Sequence, residues 1–114
     1  MRKLVASAWM TLDNVFDAAL MAQWFFPSDS ESRQSAIRDS VLGADTILMG
    51  RTTYEMLMPY WSALKDEEMG GVAGKLNHSP KWVVSSTLTV AAWENSRIIR
   101  DDVAGALEAV MVLF

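Results

Sequence analysis

The stretch Ile47-Leu48-Met49-Gly50-Arg51-Thr52-Thr53-Tyr54-Glu55 decides the fold, because two periodicities meet there at one glycine. Before Gly50, the run Thr46-Ile47-Leu48-Met49 is short, apolar and rich in strand formers, the pattern of a central strand. After it, Tyr54, Leu57, Met58 and Trp61 recur at i, i+3, i+4 and i+7, the stripe of an amphipathic helix. Pro59 predicts a bend or break near Met58, since proline removes an amide donor and crowds the preceding turn. A strand that passes through glycine straight into a helix is the unit from which α/β sheets are built.

Working upstream, Ser28, Asp29 and Ser30 offer N-cap side chains, and Glu31 falls in a first turn where the helix dipole favours negative charge. The helix expected there runs to about Leu42. Ile37 and Val41, one turn apart, form its inner stripe, and Gly43 is placed to end it in a left-handed conformation. Residues 3–10 read as a first strand, ended by the turn formers of Thr11-Leu12-Asp13-Asn14. Residues 18–26 are apolar and carry Trp24, Phe25 and Phe26 before Pro27, either as a short helix or as an aromatic loop.

Downstream, residues 65–78 read as a surface segment in which Gly70, Gly71 and Gly74 weaken any helix. Residues 81–85 carry Trp82-Val83-Val84 as another strand, and Arg97-Ile98-Ile99-Arg100 forms a further short one. Asp101 and Asp102 open a last helix through Ala104, Leu107, Glu108 and Met111, weakened by Gly105. Strand, helix, strand, helix, strand predicts an α/β fold with a mostly parallel sheet in one domain.

Composition bounds the function. With 51% hydrophobic residues in 114 there is ample material for one core. A formal charge of -4 makes a broad basic face, and therefore nucleic acid, a poor expectation. The absence of cysteine excludes disulfides, thiolate catalysis and the usual structural zinc sites. No metal-binding constellation is visible, and no apolar run approaches the roughly 20 residues of a membrane-spanning helix. A cytoplasmic protein is expected.

Two junctions carry candidate chemistry. At Gly50-Arg51-Thr52-Thr53, the free amides of a first helical turn and the positive end of the dipole favour an anion such as a phosphate. An ordinary strand-to-helix turn, with threonines that only cap the helix, explains the same residues equally well. At Val84-Ser85-Ser86-Thr87, three hydroxyls follow a strand at the edge where open α/β sheets bind ligands, and a plain polar turn is the alternative.

In this order, the strand leading to Leu12-Asp13, the segment Leu48-Met49-Gly50-Arg51-x-Thr53-Tyr54-Glu55 and the segment Lys81-Trp82-Val83-Val84-Ser85-Ser86-Thr87-Leu88 resemble the dihydrofolate-reductase-like superfamily. The similarity is greatest to the branch that contains the riboflavin-pathway reductase domain, and it covers nearly the whole chain. It implies a three-layer fold around a mostly parallel central sheet. It also implies NADPH as cofactor, with Gly50, Arg51, Thr52 and Thr53 at its phosphates and Ser85 and Ser86, with Arg51, at the 2′-phosphate. The nicotinamide and a small heterocyclic substrate, pterin- or pyrimidine-like, would then lie near Ala6, Trp9, Leu12 and Asp13, with Trp24, Phe25 and Phe26 as walls, although plain core or dimer packing is the simpler account of that aromatic trio. Complete domains of this kind continue for several more strands, so the chain is expected to hold the first part of one.

Asp13 is the candidate proton relay or substrate anchor, against an Asx-type turn as the simpler reading. His78, between Asn77 and Ser79, reads as a surface residue. Two functions remain open at this point. One is an NADPH-dependent reductase; the other is a non-catalytic reductase remnant that buries its apolar end in a homodimer.

Overall fold

The structure, a computed structural model, describes residues 3–8, 10, 12–14, 23, 27 and 29–112. Among them the chain is mixed α/β: α1 (Glu31–Leu42), β1 (Ile47–Gly50), α2 (Arg51–Trp61), a 3-10 turn (Glu68–Gly71), α3 (Val72–His78), β2 (Lys81–Val84), β3 (Ser96–Ile99) and α4 (Val103–Val112). The three strands are parallel in the order β1-β2-β3. In register, Met49 lies beside Val83 and Val83 beside Ile98, while Gly50, Val84 and Ile99 end the strands together. No helix among the described residues is long and apolar enough to cross a membrane.

Side-chain alternation turns Met49, Val83 and Lys81 toward one face. There Met49 and Val83 meet Tyr54 of α2, Val72 and Leu76 of α3, and Trp93 from the loop before β3. Val41, Leu57, Met58 and Trp61 pack around that cluster, so the helical stripe read from residues 54–61 is the inner face of α2. On the other face, Arg97 lies over the Trp82 ring, and a cavity of about 970 Å³ opens among residues 3–7, Leu48, Trp82, Leu107 and Val110.

Several expectations are corrected. Residues 3–8 form no strand; without a paired neighbour to take up backbone groups, Leu4 and Val5 stay exposed. The strand ending at Gly50 is at the edge, and β2 holds the centre. α2 continues through Pro59 to Trp61. Gly43 caps α1 in a right-handed conformation with φ -79° and bonds the Asp39 and Val41 carbonyls. The N-terminus of α1 is as read: the Ser30 hydroxyl accepts from the Arg33 amide at 3.2 Å.

The largest correction concerns residues 72–77, which are central rather than superficial, while residues 65–70 and His78 lie at the surface as expected. Val72, Ala73, Gly74, Leu76 and Asn77 of α3 are all buried, between α1, α2 and the sheet. The glycines allow this. Gly70 and Gly71 take φ of 68° and 92°, which reverses the chain into α3. Gly74 lets α3 press on the preceding loop: a Cβ there would sit 2.9 Å from the Asp66 Cβ and 3.0 Å from the Asp66 carbonyl oxygen.

Lys81 begins the central strand with its side chain inside, only 1% exposed. Its ammonium donates to the carbonyls of Leu76 (2.7 Å), Asn77 (2.9 Å) and Ser79 (2.9 Å), which otherwise end α3 without partners. The Trp93 ring covers it at 4.6 Å. Burial pushes this ammonium down to about 8, partly offset by the Glu94 carboxylate.

Lys81→Met should therefore destabilise the fold by about 1–3 kcal/mol in urea unfolding, because three inner carbonyls lose their donor. Gly74→Ala should also destabilise. Its gain of about 1 kcal/mol in helix propensity is outweighed by a clash with backbone that costs about 1–3 kcal/mol.

Candidate functional site

The parallel register brings the two sequence junctions to one edge. Gly50 and Val84 are paired at the carboxyl ends of β1 and β2, so Arg51, Thr52 and Thr53 begin α2 next to the turn of Ser85 and Ser86. This is the edge at which the switch from strand to helix exposes unpaired amides.

The start of α2 has no side-chain cap and no acidic residue in its first turn. Thr52 and Thr53 are exposed, and Arg51 is half exposed with its guanidinium 3.9 Å from Glu55, a loose pair one turn along the helix. Gly50 itself is extended, with φ -87° and ψ 174°. A Cβ at Gly50 would meet nothing within 4 Å. Neither conformation nor crowding demands glycine there, and the space above it is open to a bound group. Tyr54, in the same segment, is a structural anchor: its hydroxyl accepts from the Trp93 amide at 3.0 Å and holds the loop of residues 85–95 on α2.

Ser85 and Ser86 separate in role. Ser85 is buried; its amide extends the ladder to the Ile99 carbonyl (3.1 Å), and its hydroxyl accepts from the amides of Thr87 (3.2 Å) and Leu88 (3.0 Å). Its oxygen shapes the turn. Ser86 and Thr87 are exposed at that turn. Third at this edge is Arg100, just past β3, whose guanidinium donates to the Thr89 carbonyl at 3.2 Å. The sequence marked Arg100 only as a strand end; its place beside the junctions follows from the parallel pairing of β3, which no local pattern specified. The last helix, α4, also starts here, but Asp102 already serves its amides, accepting from Gly105 at 3.3 Å.

Leu12 and Asp13 form a turn, both exposed, with Asn14 at φ 69°, the left-handed turn that Asn tolerates. Ala6 lines the 970 Å³ cavity. Trp9, Trp24, Phe25 and Phe26 lie outside the described residues. Among the described residues no group of His, Asp or Glu is arranged to hold a metal ion.

The start of α2 can receive an oxyanion: its amides are uncapped, Arg51, Thr52 and Thr53 are exposed in its first turn, and no carboxylate occupies that turn. Compared with known proteins, the chain matches no family model and none of the curated proteins.

The two serines should respond differently to substitution. Ser85→Ala leaves the Thr87 and Leu88 amides without their acceptor and should cost about 1–2 kcal/mol of stability. Ser86→Ala should fall within about 0.5 kcal/mol of the parent, as for other exposed positions. Thermal unfolding of the two variants side by side checks the difference.

Proposed function

We propose that this chain is a dihydrofolate-reductase-like domain that binds NADPH and serves hydride transfer to a small, pterin- or pyrimidine-like heterocycle. The observation that carries the reading is the uncapped start of α2 behind Gly50, with open space above the glycine. Open space allows a phosphate to approach the backbone, and the amides of the first turn donate to it with the helix dipole in their favour. Arg51 supplies the mobile positive charge, and its long contact with Glu55 is readily exchanged for a phosphate. Ser86 and Thr87 add hydroxyls from the neighbouring strand end, while Ser85 fixes the turn that presents them.

When bound, NADPH supplies the hydride. Gly50, Arg51, Thr52 and Thr53 would hold its phosphates, and orientation is the larger part of what hydride transfer requires. The resemblance at Gly50-Arg51-x-Thr53-Tyr54-Glu55 and Val83-Val84-Ser85-Ser86 supports the choice of NADPH among nucleotides.

Titration of NADPH against the fluorescence of the five tryptophans should give a saturable change. Arg51→Ala should weaken it about tenfold, the loss of one charge-assisted contact of about 1.4 kcal/mol. Gly50→Val gives the sharper test. Stability should stay within about 1 kcal/mol, since the new side chain meets no neighbour, but binding should be abolished. A flat titration at millimolar NADPH, or binding that survives Gly50→Val, overturns the reading.

A further inference from the structure

The opposite edge of the sheet carries an arrangement that the reductase reading does not use. His78 ends α3 with its ring half exposed, and both ring nitrogens are engaged by carboxylates: Nε2 is 2.9 Å from Asp66 Oδ2, and Nδ1 is 2.8 Å from Glu94 Oε2. A neutral imidazole has one N–H and one lone pair, whereas an ionised carboxylate only accepts. Both contacts are satisfied together only when the ring is the doubly protonated imidazolium.

The partners come from separate segments. Asp66 lies in the loop that joins α2 to the 3-10 turn, and Glu94 in the loop that feeds β3. The ring bridges them at the mouth of a cavity of about 330 Å³ lined by Met58, Leu64, Asn77 and Trp93. The same loop is attached again by Asn95, whose side-chain amide donates to the His78 carbonyl at 2.7 Å. Other charges near the ring are Lys81, whose ammonium interacts with Glu94 from the start of β2, and Lys75, one turn back on α3.

We propose that His78 is a proton-operated clasp, which in its imidazolium form ties the Asp66 loop to the Glu94 loop over this cavity and on deprotonation releases one of them. The hydrogen bond and charge of Asp66, followed by those of Glu94, hold the ring's protonated form above the ordinary value of 6.5. The sign follows from that direction: the clasp's contribution to stability is complete below 6.5 and is lost as pH rises through the raised value of the folded state. Release acts on the loop of residues 85–95, whose other end is the Ser85 turn, so the clasp links ambient pH to the mobility of a segment that spans both sheet edges.

His78 is the chain's one histidine, so its imidazole resonances can be followed by NMR through a pH titration without ambiguity. The expected midpoint lies above 6.5, moves to lower pH in Asp66→Asn, and moves less far in Glu94→Gln. Amide exchange at residues 63–66 and 92–95, corrected for its intrinsic pH dependence, should accelerate once the ring is neutral. Exchange elsewhere in the sheet should not. A midpoint at or below 6.5, a raised midpoint that neither variant moves, or loop protection that is the same on both sides of the titration overturns the clasp. None of these readouts involves NADPH, so the clasp and the reductase reading fail separately.

Discussion

The buried ammonium of Lys81 is the contact on which the arrangement of the sheet depends. An α-helix ends with carbonyls that lack partners, and in the last turn of α3 those of the buried Leu76 and Asn77 face the protein interior. Lys81 satisfies the carbonyls of Leu76, Asn77 and Ser79 with the three donors of one group, from the first residue of the central strand. The end of α3 and the start of β2 are thereby fixed to each other. Both neighbouring strands take their register from β2, so Ile47 and Ser96 are set beside Lys81 by the same contact. Burial lowers the affinity of this ammonium for its proton, and three hydrogen bonds and the Trp93 face are set against that cost.

Around Lys81 the polar groups of the core close on one another. Asn77 accepts from the Trp93 indole at 2.7 Å and donates to the Trp61 carbonyl at 3.0 Å, while the Trp93 amide donates to Tyr54. This chain of bonds joins α2, α3 and the loop before β3 through side chains that are otherwise apolar in bulk. Buried polar groups satisfied in this way specify one packing, because any shift leaves a donor or acceptor stranded. The connection between the parallel strands β2 and β3 contains no helix among its described residues, and Trp93 is what holds that connection on the core.

Where local pattern and burial agreed, the sequence was a good guide. The i, i+3, i+4, i+7 stripe from Tyr54 to Trp61 and the runs ending at Gly50 and Val84 correspond to α2, β1 and β2, and both junctions lie at one edge. Strand order was not legible, since nothing local to Ile47-Leu48-Met49 distinguishes an edge from a centre. Residues 72–77 were misread for a different reason. Glycine counts against a helix when its neighbours are solvent, but here the absence of a Cβ at Gly74 creates the contact with Asp66 that buries α3. Likewise Lys81 has the composition of a surface residue, and its partners are carbonyls that no side-chain pattern announces. The pairing of His78 with Asp66 and Glu94 spans 12 and 16 residues and depends on that same unexpected helix.

Glycine also separates what the fold needs from what a ligand would need. Gly70 and Gly71 are required by positive φ, and Gly74 by the Asp66 backbone that a Cβ would strike, whereas a Cβ at Gly105 would meet only the movable carboxylate of Asp102. A Cβ at Gly43 would sit 3.2 Å from the Asp39 carbonyl oxygen. Gly50 alone has an ordinary backbone conformation and empty space around it. A serine or aspartate at this N-cap would stabilise α2 by only about a few tenths of a kcal/mol, through the amides that glycine leaves open. The chain forgoes that gain at the one helix start that faces the strand ends without a carboxylate of its own, whereas α4, a strand away, keeps Asp102. On the proposed reading, a bound phosphate would supply the cap that this helix start lacks, in the open space above Gly50.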